Sequence, residues 1–140
     1  MKKLLIATIL LTIIGLFITG CTDPPVIAPT ISTRIIGKWT MKTAIGNYTT
    51  LGTNYKDTTT FSANDYFEFK VGGDVTIVES GTTYNGTWKV TNDKLYFSGT
   101  NYIDNASGFF VSVLTANTLQ LYHSEVNSVA TVEQTLNLTK

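Results

Sequence analysis

A chain of 140 residues with ten basic and ten acidic side chains, one histidine and one cysteine has room for a single folded domain, no charge excess to draw it to nucleic acid, and no partner for an internal disulfide. Its lysines are scattered and Arg34 is the only arginine, so the basic stripe that neutralises phosphates is missing. The carboxylates are dispersed as singletons, which leaves no motif for a catalytic or metal centre.

Lys2 and Lys3 lead into an apolar run from Leu4 to Thr19 that stops at Gly20-Cys21. A positive end, an apolar helical core and small residues at the cleavage point read as a secretory signal over residues 1–20. The run is shorter than the roughly twenty residues needed to span a bilayer, and no basic stop-transfer cluster follows it. Ile18-Thr19-Gly20-Cys21 resembles the lipobox read by lipoprotein signal peptidase. That resemblance implies a diacylglyceryl thioether on Cys21, which would become the first mature residue and hold the protein on a membrane. Loss of residues 1–20 would leave eight basic and ten acidic side chains, a formal charge of −2. Thr22, in place of the aspartate that marks inner-membrane retention in the best-studied bacterial sorting system, directs the expectation to the outer membrane of a bacterial envelope.

The lipidated cysteine and a tether occupy residues 21–35. Pro24, Pro25 and Pro29 are the three prolines of the chain, and their fixed φ and missing N–H keep this tract extended at roughly 3.1 Å per residue.

From Ile36 to Lys140 the sequence alternates apolar and polar residues without proline and is punctuated by Gly, Asn and Asp, which predicts an all-β antiparallel domain. Gly37, Trp39 and Met41 share one face of the first strand. The stretch Thr43 to Thr60 reads as a weak strand plus a loop. Phe67, Phe69 and Val71 face one way, Gly72-Gly73 supplies a hairpin turn, and Asp74 to Glu79 returns as the partner. Tyr84, Gly86, Trp88 and Val90 line one face of the next strand, and Asn92-Asp93 turns the chain into Lys94 to Ser98. Phe109 to Leu114, Leu119 to His123 and Ala130 to Leu138 complete roughly eight strands. Such a set can close as an up-and-down barrel or fold as a β-sandwich. Short hairpin links between sequence neighbours favour the barrel, since a sandwich needs a longer crossing connection.

The opening Ile36-Gly37-Lys38-Trp39, the strand Asn85-Gly86-Thr87-Trp88-Lys89-Val90 with Asn92-Asp93-Lys94-Leu95 after it, and Thr118-Leu119-Gln120-Leu121 resemble the lipocalin-like domain of small bacterial lipoproteins. The resemblance implies a barrel over residues 36–140. In it Trp39 of the Gly37-x-Trp39 motif would close the floor, but no arginine follows Trp39 to stack on its ring, because Arg34 precedes the first strand.

Inward aromatics, Trp39, Phe67, Phe69, Tyr84, Trp88 and Phe109, are the candidates to line a cavity for a small apolar ligand or to fill the core of a barrel this size. Gly37 and Gly86 are read as making room for neighbouring rings or letting strands bend. His123 shares a face with Leu119 and Leu121 and is read as a rim or core histidine rather than a base. Glu68 and Glu79 flank one hairpin and are placed to approach each other across the strands, although a glycosidase pair would need a supporting cleft. Asp104-Asn105-Ala106-Ser107-Gly108 lacks the spaced oxygen ligands of a calcium loop and reads as a turn. No enzyme activity, metal or cofactor is expected. The expected function is binding or carrying a small apolar ligand in the cell envelope; the alternative is a structural or protein-interaction module with a solid core that docks an envelope partner, and cavity volume separates the two.

Overall fold

Period-two alternation lets each strand bury one row of side chains and wet the other, so the hairpins can meet only by curling their apolar faces inward. The computed structural model describes residues 30–103 and 107–140; Cys21, the lipobox, the proline tract and Asp104 to Ala106 lie outside the described residues. A single helical turn, α1 (Ile31–Arg34), precedes nine strands: β1 (Gly37–Thr50), β2 (Thr53–Thr60), β3 (Tyr66–Phe69), β4 (Asp74–Glu79), β5 (Thr82–Thr91), β6 (Lys94–Ser98), β7 (Phe109–Leu114), β8 (Thr118–Val126) and β9 (Ala130–Thr139). β3 to β9 pair in chain order, and β1 pairs with β3 on one side and β9 on the other, closing an eight-stranded antiparallel barrel. It is an up-and-down barrel and not a sandwich.

β2 is the strand outside the closed set. It shares an edge of β1 with β3, which takes Gly37 to Thr40 while β2 takes Thr43 to Thr50 in an unbroken register. The segment 43–60 is therefore a regular hairpin rather than a weak strand with a loop. Its β1 arm is held from the other side by β9, with Thr50 opposite Ala130, so backbone pairing supplies the order that a threonine-rich composition hides. Two strand ends also run further than their apolar pattern: β8 to Val126 and β9 to Thr139. Val71 is 80% exposed because the chain has already left β3 for the turn.

A bulge between Met41 and Thr43 sets what β1 shows to the interior. Met41 faces Leu138 and Thr43 faces Asn137, which leaves Lys42 unpaired with β9 and shifts the inward parity so that Ala44 follows Met41. On the outer surface, Ser112, Gln120, Asn137 and Thr43 form a side-chain hydrogen-bond ladder from β7 to β1 with bonds of 2.9 Å, crossing the seam where β9 meets β1.

α1 caps the end of the barrel where β1 begins. The Arg34 guanidinium donates to the Leu114 carbonyl, and Ile35 is wholly buried. The folded body thus takes in Ile35 and the turn before it, residues the proline-tract reading assigned to the tether; the apolar Ile35 side chain, next to the first strand, joins the core.

Candidate functional site

The barrel interior divides into a packed lower layer and an open upper end. The lower layer holds most of the six inward aromatics. Trp39, Phe67 and Phe69 are at most 1% exposed, and Trp88 packs edge-on against Phe69 with ring centroids 5.4 Å apart. The Trp39 indole N–H donates to the Ile35 carbonyl at 2.6 Å and the Trp88 indole N–H to the Lys70 carbonyl at 3.3 Å, so both rings are fixed by their polar ends. These four are core. Tyr84 is half-buried and lies tilted against Tyr102 with ring centroids 5.0 Å apart, and Phe109 alone of the six lines an open cavity.

Between the two lies the first part of the β6–β7 connection, residues 99–103. Thr100 is buried, its hydroxyl donating to the Ile103 carbonyl at 2.8 Å and accepting from the Ile103 N–H at 3.0 Å, which folds the chain inward as a compact plug. Gly86 makes this fit. A Cβ there would lie 2.5 Å from the Ser98 carbonyl oxygen and 2.6 Å from Thr100 Cγ2. Gly86 therefore admits the plug's backbone, not a neighbouring ring.

Above the plug is a cavity of about 600 Å³, within the range that holds small ligands. Phe61, Ile103, Phe109 and Leu136 provide its apolar surface. Ala44, Gly46 and Tyr48 come from β1 beyond the bulge, Asp57 and Thr59 from β2, Glu79 from β4, His123 and Glu125 from β8, and Gln134 from β9. The β1–β2 hairpin stands as one wall, and exposed Asp57 and Glu125 stand at the rim.

The Asp, Glu, Lys and Arg side chains lining the cavity are, among the described residues, all of one sign. Asp57, Glu79 and Glu125 line it, and no Lys or Arg of the described residues does. His123 is buried, with Nδ1 at 3.2 Å from the Gly108 carbonyl and Nε2 at 4.0 Å from Glu125 Oε2. Burial, reinforced by the Glu79 carboxylate, raises the Tyr102 phenol above its ordinary value and keeps it a neutral donor beside that carboxylate. Glu68 and Glu79 do not meet: Glu68 pairs with Thr76 and sits outside, 3.9 Å from Lys70, whereas Glu79 falls two residues past inward Ile77 and faces the cavity.

Of the cavity's residues, sequence reasoning singled out Phe109, His123 and Glu79. It missed Tyr48, Asp57, Phe61, Tyr102, Glu125 and Gln134. Glu125 was within reach of the period-two count that placed His123 inward; Asp57 was not, because β2 faces the cavity only through its register with β1.

A family model described as a lipocalin-like domain matches residues 35–121, from the buried Ile35 into β8. No curated protein and no solved structure matches the chain.

Proposed function

The chain belongs to the lipocalin-like domain family, and from that premise we propose that it binds a small, partly apolar molecule in the cavity above the plug and carries or sequesters it in the cell envelope. The observation that carries the reading is the cavity itself: about 600 Å³, with an apolar surface from Phe61, Ile103, Phe109 and Leu136 beneath a polar rim. The ligand site is thus displaced from the aromatic floor to the end shared by β1, β2, β8 and β9.

The membrane part of the reading rests on sequence. The lipobox-like Ile18-Thr19-Gly20-Cys21 supports lipidation at Cys21, Thr22 supports the outer membrane, and the prolines support a spacer between anchor and barrel. Two or more acyl chains at about 0.8 kcal/mol per buried methylene make such an anchor effectively permanent.

The test is native mass spectrometry of the full chain, released from lipid nanodiscs after incubation with a bacterial envelope extract. A saturable adduct that disappears in Thr59→Trp, where an indole would fill the cavity from exposed β2, supports the reading. A bare mass across extracts sinks it and favours the second reading, a docking module, whose support is β2: an edge strand exposed on both faces, with Tyr55 61% exposed.

A further inference from the structure

We infer that the ligand is an organic cation, an ammonium-bearing molecule with a small apolar body, and that the cavity discriminates against anions of the same shape. The inference rests on the ligand-binding reading above and adds the sign of the charge.

Three features of the cavity converge on it. First, its ionised lining is acidic: Asp57, Glu79 and Glu125 arrive from three different strands, so the negative potential surrounds the void and is not a patch on one side. Second, among the described residues no Lys or Arg side chain lines the cavity, and several are engaged elsewhere. Lys38, Lys94 and Lys140 lie 3.6, 4.4 and 4.4 Å from the ring centroids of Tyr66, Phe110 and Trp39, and Lys70 donates to Thr76. An anion entering the cavity would meet no fixed positive side chain. Third, aromatic rings stand beside the carboxylates. Tyr48 and Tyr102 share the cavity with the acids, and an ammonium among them can face ring π-density and carboxylate oxygen together. Tyr102, held protonated, gives its one O–H to Glu79 and adds no charge of its own to the cavity.

The site is the cavity; the carboxylates decide which ligands it accepts. Exposed Asp57 and Glu125 and half-buried Glu79 give modest individual attraction, but three acting on one ammonium, with ring contacts added, favour the cation over its neutral isostere by about tenfold.

Three probes of one shape test this: naphthylmethylamine, naphthylmethanol and naphthoate, titrated calorimetrically into the full chain in zwitterionic nanodiscs, with empty discs subtracted. The expected order is amine tightest, alcohol about tenfold weaker and carboxylate weakest, with the amine's advantage shrinking as salt rises. Glu79→Gln and Glu125→Gln, each checked for an unchanged melting transition, bring the amine-to-alcohol ratio toward one, and Asp57→Asn does the same independently. Equal binding of amine and alcohol overturns the inference and leaves the ligand-binding reading standing. An advantage that survives all three substitutions also overturns it. Failure of every probe to bind overturns both.

Discussion

Lys140 places its ammonium 4.4 Å from the centroid of the Trp39 ring and donates to the Ile36 carbonyl at 3.2 Å, so a lysine from beyond β9 does for the floor tryptophan what the absent arginine would do. The main chain cooperates: the Lys140 N–H donates to the Asn117 carbonyl at 3.2 Å, tying this end to the β7–β8 turn. Gly37 belongs to the same cluster. Its φ of +117° is open to glycine and strained for other residues, and a Cβ there would touch the Lys140 side chain at 3.6 Å. Lys140→Ala is expected to cost about 0.5–1 kcal/mol and Lys140→Arg close to nothing, read by chemical denaturation. Gly37→Ala should cost about 1 kcal/mol or more through the backbone, and an unchanged midpoint there would show that the Gly-x-Trp motif does not depend on φ.

Gly86→Ala drives a methyl group into the Ser98 carbonyl and the Thr100 side chain. The expected loss is about 1–3 kcal/mol, and because the displaced segment carries Tyr102 and Ile103, ligand affinity falls with it. Gly73→Ala is no control, since it sits at a positive φ of its own; a substitution at exposed Thr83 is. Wild-type stability and binding in Gly86→Ala would remove the plug from the account.

Asp65 joins two turns. Its carboxylate accepts from the Ser62 N–H and the Ser80 N–H, each at 2.7 Å. The Ser62 side chain first, then the Ser80 and Ser62 backbone groups, hold its pKa below the ordinary 3.8. A depressed folded-state value contributes stability that is present above the unfolded value and lost as pH falls through the folded one. The melting temperature of Asp65→Asn should therefore lie below wild type at neutral pH, with the gap closing under acid conditions below about pH 4. A gap that does not change with pH would exclude the ionised carboxylate as its source.

Tyr102 works in the opposite direction. Its raised value means that its contribution is complete below the ordinary 10.0 and is lost as pH climbs beyond it. Absorbance titration should give the wild type, with seven tyrosines, the same reversible ionisation amplitude before alkaline unfolding as Tyr102→Phe, because this phenol does not titrate in that window. A larger wild-type amplitude would show Tyr102 ionising with the rest.

Cys21→Ser removes the one thiol available for lipidation. Expressed in a bacterial host, the wild-type chain is expected to partition into the detergent phase and carry acyl mass, and the variant to do neither. Equal partitioning of both would end the lipoprotein proposal while leaving the cavity argument untouched.

The strands and most of the turns were legible in the sequence, because period two and turn chemistry are local: Asn92-Asp93, both at positive φ (51° and 61°), joins β5 to β6 at the expected residues, and β7 spans Phe109 to Leu114 as read. The lipobox-like Ile18-Thr19-Gly20-Cys21 and the proline tract are local patterns too, and they lie outside the described residues. The candidate site was not legible in this way. Trp39, Phe67, Phe69 and Trp88 are inward residues in any barrel, and alternation cannot say whether an inward ring packs or lines a void; the depth at which the plug seats over Gly86 decides that. The bulge after Met41 fixes which β1 residues reach the cavity, and the seam with β9 fixes how far the β1–β2 hairpin extends above it. Asp57, Glu79 and Glu125 lie far apart in the chain and surround one space only because the barrel closes. Alternation within the chain thus determined the strands and the inward rows, while register between strands, a property of pairs that no single segment contains, decided which residues meet and what they surround.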